Sequence, residues 1–194
     1  ILRLLNIKFK NKRYDFFYLE KHRKKSFSFL SDFDQNKIIV GLNTTGSSFE
    51  KKISDDDVGK ILLGLHSISN NIIIILLHKP EDIKRVNGFI SDENSSYVFL
   101  SYPTESVLDI AALIDSVDLL ITPDTSLVHM ACAFEKPLLA IYRNDMIAFE
   151  AWQPKSRNNH VVFSENFDSL KSIDVSIILD KSIELIRLHV KKSL

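Results

Sequence analysis

The chain has 194 residues, with 25 basic and 25 acidic side chains, 45% hydrophobic residues and one cysteine. That apolar fraction is too high for a disordered chain, and the lone Cys132 excludes a disulfide framework and a cysteine-based zinc site within the chain. The longest apolar run, Ile72 to Leu77, is six residues, where a bilayer span needs about 20, and no secretory h-region opens the chain, so a reduced, soluble, cytoplasmic protein is expected.

Zero net charge gives no reason to expect a nucleic-acid partner, but it conceals a split. Residues 1–25 carry a balance of +7 and the remainder −7. Such a split marks either a basic arm facing something anionic or a solvated leader. The chain begins with Ile1 and not Met, which points to sequence lost upstream.

The elements follow in chain order. Residues 1–36 do not fit a regular alternation: Ile1 to Ile7 is read as a helix end, Tyr14 to Leu19 as an extra strand and Glu20 to Asn36 as a polar connection. Lys37 to Leu42 is a short β-branched run ending in the polar turn Asn43 to Ser48, the pattern of a buried strand and its loop. Ser54-Asp55-Asp56-Asp57 opens a helix, with acids at the positive end of its dipole and Val58, Ile61, Leu62, Leu65 and Ile68 at helical spacing. Ile72 to Leu77 is apolar without alternation, as in a central parallel strand covered on both faces. His78 to Asp82 leads into another helix, with Pro80 tolerated in its first turn.

Tyr97 to Leu100 is a third strand. Thr104-Glu105-Ser106 starts a helix that places Val107, Ile110, Ala111 and Ile114 on one face. Val117 to Ile121 is a fourth strand, followed by the tight loop Thr122 to Ser126 and a short helix over Leu127 to Phe134. Leu138 to Tyr142 and His160 to Phe163 complete six strands, and Ser172 to His189 is a terminal helix. Alternating strands and helices predict an α/β domain with a mainly parallel sheet and right-handed crossovers.

In an open parallel sheet, ligands bind outside the carboxyl ends of the strands. Two loops in that position stand out. Thr44 to Lys52 offers hydroxyls, a permissive Gly46 and two lysines, a set that can hydrogen-bond and neutralise phosphate or can serve as an ordinary polar turn. It lacks P-loop spacing. In Pro123 to His129, Asp124 at the strand end can accept hydrogen bonds from sugar hydroxyls, and Thr125 and Ser126 fall at a helix N-terminus that favours a phosphate. His129 lies one turn further on and can face the same anion. Asp124 or Thr125 can equally be an N-cap, and His129 a core histidine.

No GxGxxG, HExxH or GxSxG occurs, and His66, His78, His129 and His160 lack the spacing of metal ligands. Cys132, in an apolar helix, reads as packing.

The segment Asp118-Leu-Leu-Ile-Thr-Pro-Asp124-Thr-Ser-Leu-Val-His129, its small-residue helix, and Lys136-Pro137 before the next strand resemble the signature of glycosyltransferase family 9, the ADP-heptose:lipopolysaccharide heptosyltransferases. Thr44-Thr45 with Lys51-Lys52 resembles that family's phosphate-proximal loop and lysine element. Trp152-Gln153-Pro154 resembles its Trp-Gly-Pro, and Leu4 to Ile7 its connector into the second domain. Two departures are plain. Ser126 stands where the family has glycine, and Ile53-Ser54 where it has Trp-Pro.

The resemblance implies a Rossmann-like sheet flanked by helices, the C-terminal, donor-binding half of a GT-B fold. Residues 37–194 would be that domain, 1–36 a connector and leading segment, and the N-terminal acceptor domain would be missing. It further implies Thr44, Thr45 and Lys51 near the diphosphate or sugar, and Asp124 on sugar hydroxyls. Thr125, Ser126 and His129 would hold the diphosphate, Glu81 the ribose, and the turn at Thr104 the base. No metal or cofactor is implied; an ADP-sugar is the donor and lipopolysaccharide core the acceptor. Lys51 and His129 would stabilise departing ADP, the general base would lie outside this chain, and the fragment alone would not turn over. The basic stretch would dock at the inner membrane surface or form the interdomain linker. Two competing readings stay open: a non-catalytic nucleotide-sugar-binding module, and a related GT-B-like enzyme, such as an epimerase, using another nucleotide sugar.

Overall fold

The computed structural model describes residues 14–46 and 48–191. Six strands form one parallel sheet: β1 (Ile38–Asn43), β2 (Ile72–Leu77), β3 (Val98–Leu100), β4 (Leu119–Pro123), β5 (Leu138–Tyr142) and β6 (Asn159–Phe163). Their order is β3-β2-β1-β4-β5-β6, the doubly wound order whose direction reverses between β1 and β4. The expected α/β parallel architecture is therefore the one observed. Every residue of β1, β2, β4 and β5 is buried, which is why these strands read as continuous apolar runs.

Helices cover both faces. Ile38, Val40, Leu42, Ile72, Ile74 and Leu76 pack with α2 (Asp55–Ile68) and α7 (Val175–His189). Ile39, Ile73, Ile75 and Leu120 face α4 (Val107–Ser116) and α5 (Ser126–Ala133). Period-two alternation in the strands divides these two cores. The caps are written in the sequence: Ser54 accepts from the Asp57 N–H, and Ser106 with Asp109 forms a reciprocal capping box. Cys132 is buried and its sulfur accepts the Lys155 N–H, in keeping with a packing role.

Four expectations need correction. Residues 14–19 form no strand, and Glu20–Leu30 is a helix, α1, instead of a polar connection. Its inner face is His22, Ser26 and Leu30, spaced by four, so two polar residues stand where apolar ones are usually sought. Val107 is not on the apolar face of α4; it is the first helical residue and is 54% exposed. Strand β4 starts at Leu119; just before it, the Asp118 carboxylate accepts the Ile39 N–H while the Asp118 N–H donates to the Ile39 carbonyl. A further short helix, α6 (Met146–Trp152), capped by Asp145, was not anticipated. Residues 1–7, read as a helix end, lie outside the described residues.

Polar contacts hold α1 to α4. The His22 imidazole bonds Asp109 at 2.9 Å, Lys25 donates to the Pro103 carbonyl at 3.1 Å and approaches Asp109 at 3.4 Å, and Ser26 donates to Ser116. Asp109 also accepts the Glu105 and Ser106 N–H groups. Burial pushes the Asp109 carboxyl up, but His22, the Glu105 N–H and Lys25 outweigh it and hold it down at about 2. A carboxyl lowered on folding contributes stability that is complete above its unfolded value of about 3.9 and fades as pH falls toward 2. This group should supply about 2 kcal/mol at neutral pH. Urea midpoints measured from pH 5 to pH 2 should fall steeply for the native chain, whereas Asp109→Asn should start lower and fall less over that interval.

Candidate functional site at the strand ends

The two loops singled out by sequence leave β1 and β4 at their carboxyl ends, on either side of the point where the strand order reverses. They meet there. Lys51, at the end of the 3-10 turn Phe49–Lys51, forms an ion pair with Asp124 at 2.5 Å, with both side chains largely shielded from solvent. Beneath it, Asn43 donates to Thr122 at 3.0 Å and accepts the Thr45 N–H at 3.2 Å. This lattice ties the end of β1 to β4.

A cleft of about 470 Å³ opens beside this pair. Thr45, Thr104, Thr125 and Ser126 lie on its walls, and Leu77, Ile110 and Met130 supply apolar surface. A polar rim over an apolar wall suits a ligand with a flat ring at one end and a charged group at the other. Thr125 caps α5, its hydroxyl accepting the Leu127 N–H, and Ser126 is exposed at the first helical position.

The predicted residues divide into groups. Thr45, Thr104, Thr125 and Ser126 line the cleft together, while Lys51 and Asp124 form the adjoining ion pair. Thr44 is fully buried behind them, its hydroxyl accepting from Arg85. Glu81 is set apart: it is exposed on the 3-10 turn Pro80–Asp82 and borders a smaller cleft of about 320 Å³ that shares Thr45 and Gly46.

His129 points away from the main cleft, between Tyr14 and Trp152, with ring centroids at 5.5 and 6.0 Å. Its Nδ1 is buried and has no hydrogen-bond partner. Burial lowers its pKa and keeps it neutral at pH 7, against the upward pull of the Asp124 carboxylate. Among the described residues, no group of three or more His, Cys, Asp or Glu side chains could hold a metal ion.

Sequence reasoning missed Arg85. It lies on the short helix α3 (Ile83–Asn87) after β2 and reaches 41 residues back to Thr44. Its local signal was its place on the first α-helix after the strand beside β1.

The profile of glycosyltransferase family 9 (heptosyltransferase) matches residues 23–174. The chain belongs to this family. The family 9 profile takes in both strand-end loops and the Asp118–Lys136 segment that carries the resemblance. Solved structures agree on the fold. The chain is similar to ADP-heptose lps heptosyltransferase II of E. coli, with TM-score 0.75 and 16% identity over 94% of this chain and 56% of that one. It is similar to a family 9 glycosyl transferase from Veillonella parvula, with TM-score 0.80 and 15% identity over 96% and 58%. An E. coli heptosyltransferase solved with ADP gives TM-score 0.66 and 17% identity over 82% and 48%. The chain thus spans less than two thirds of each of these relatives. No curated protein matches it by sequence.

Proposed function

We propose that this chain is the donor-binding half of a glycosyltransferase of the heptosyltransferase type, taking ADP-heptose as donor and lipopolysaccharide core as acceptor. One observation carries the reading: the cleft beside the Lys51–Asp124 pair, built where the loops after β1 and β4 meet the start of α5. Family membership and the relative solved with ADP support the same choice of donor.

In this reading the nucleotide ring occupies the apolar wall, near the turn at Thr104. The diphosphate lies toward Thr45, Lys51 and the first turn of α5. The sugar faces Asp124. Transfer is direct displacement at the anomeric carbon by an acceptor hydroxyl. The bond to the diphosphate oxygen breaks and ADP departs with the electron pair. Lys51 and the α5 dipole stabilise that charge. The acceptor, its base and any cytoplasmic docking at the inner membrane belong to the same proposal, with residues 1–36 as the connector. Of the basic residues on α1, Arg23 pairs with Glu20 and Lys25 with Asp109, and Lys21 and Lys24 are exposed cations outside those pairs that could face a membrane surface.

Melting of the chain with ADP, UDP and GDP tests the donor. A ligand at 100 times its Kd adds about 2.7 kcal/mol, or about 5–10 °C for a domain of this size. ADP should give such a rise and the other two should not. Equal shifts with all three, or none, would overturn the reading. The His129 ring should titrate below its ordinary value in the free chain. NMR should show that depression persisting with ADP bound, because the ring faces Tyr14 and Trp152 and not the cleft.

A further inference from the structure

Arg85 has no place in the reading so far, yet it touches both ends of the segment that carries Lys51. Its Nη1 donates to the Thr44 hydroxyl at 2.9 Å and to the Thr45 hydroxyl at 3.2 Å, at the start of that segment. Its Nη2 donates to the Ile53 carbonyl at 2.8 Å, at the far end, and its Nε to Asp55 at 2.9 Å. Thr44 and Ile53 are themselves joined, the Ile53 N–H donating to the Thr44 carbonyl at 3.0 Å. The guanidinium packs over the Phe89 ring at 5.0 Å and its side chain is only 16% exposed. A planar fork with fixed charge and five N–H donors is suited to these four acceptors, where a lysine has three donors and no fork.

The hydroxyl chemistry gives this arrangement a direction. A guanidinium can only donate, so Thr45 accepts from it and turns its own O–H elsewhere. Thr45 lines the main cleft. That leaves the Thr45 O–H available to donate to a ligand in the cleft, near the lysine that the same segment holds against Asp124.

We infer that Arg85 is a positioning residue for the phosphate end of the donor: it orients Thr45 as a hydrogen-bond donor and fixes the segment that presents Lys51. This inference rests on the donor-site reading above. It implies a division of labour, because Arg85 should matter for the charged part of the nucleotide and not for its ring.

Calorimetric titration with ADP and with adenosine separates the two. The native chain should bind ADP; if it does not, the donor-site reading falls and this inference falls with it. Arg85→Met should weaken ADP by about tenfold or more and leave adenosine within about twofold. Arg85→Lys, with charge but no fork, should fall between native and Arg85→Met. Thr45→Val removes the oriented hydroxyl, so combining it with Arg85→Lys should cost less than the two single losses multiplied together. A folded Arg85→Met that loses ADP and adenosine equally, or neither, would overturn the inference while native ADP binding stands. If Arg85→Met does not fold, the Thr45→Val and Arg85→Lys cycle decides it: independent losses overturn the inference and coupled losses sustain it.

Discussion

Lys51→Ala should lose ADP recognition and stability together, for different reasons. Binding loses a charge-assisted contact to phosphate, worth about 1.5–3 kcal/mol, so ADP affinity measured by calorimetry should drop about 10- to 100-fold. Stability falls because Asp124, which is partly buried, is left without the cation that faces it at 2.5 Å. With both groups partly screened, that loss should be about 1–2 kcal/mol, or a Tm lowered by about 2–8 °C. A double variant parts the two effects. Lys51→Met with Asp124→Asn removes both charges, so it should recover most of the Tm and none of the affinity. If Lys51→Ala melted lower but bound ADP as the native chain does, Lys51 would be a structural ion pair and nothing more.

Gly46→Val should be the most damaging single change in the site. A Cβ at residue 46 would come within 2.6 Å of the Lys51 carbonyl oxygen and closer still to the Lys51 Cβ. Those are backbone and near-backbone atoms that cannot rotate aside. The Gly46 backbone is not in the left-handed region, so the requirement is one of space and not of torsion. Relief must come from moving Lys51 away from Asp124, or from shifting Thr45 at the cleft wall. The expected cost is about 2–4 kcal/mol, seen as a lower urea midpoint, with loss of the ADP-dependent rise in Tm. Gly46→Ala should show a smaller loss of the same kind. Gly59, with nothing within 4 Å of an added Cβ, provides the control. Gly59→Ala should leave ADP binding intact and the Tm unchanged or slightly raised. A normal ADP response in Gly46→Val would mean that the two segments do not need to touch.

Much of this arrangement was legible in the sequence because burial and composition coincide in the sheet. Ile72 to Leu77 is apolar throughout and buried throughout, so the strand could be read without periodicity. The loops at Thr44 and Asp124 could be paired because the strand order of such sheets places certain carboxyl ends side by side. What escaped were features whose energy comes from polar contacts between distant residues. Helix α1 turns His22 and Ser26 inward, toward Asp109 and Ser116, and no apolar stripe announces it. Arg85 looks like any surface arginine until Thr44, Ile53 and Asp55 are folded around it. Val107 was misread because, at the first position of its helix, it lines the cleft and not the core.

The strand order also governs how the chain is assembled. Strand β1 sits in the middle of the sheet, yet its neighbour on one side is recruited from 79 residues further along, where Val40 meets Leu119. During synthesis β1, β2 and β3 are made before β4, and in the finished sheet they are neighbours. Until β4 arrives, the inner edge of β1 is an open row of peptide groups flanked by Ile39 and Leu42. Such an unpaired edge is a template for pairing with another copy of the chain. The edge whose last residue, Asn43, comes to border the ligand cleft is therefore an exposed liability while the chain is being made.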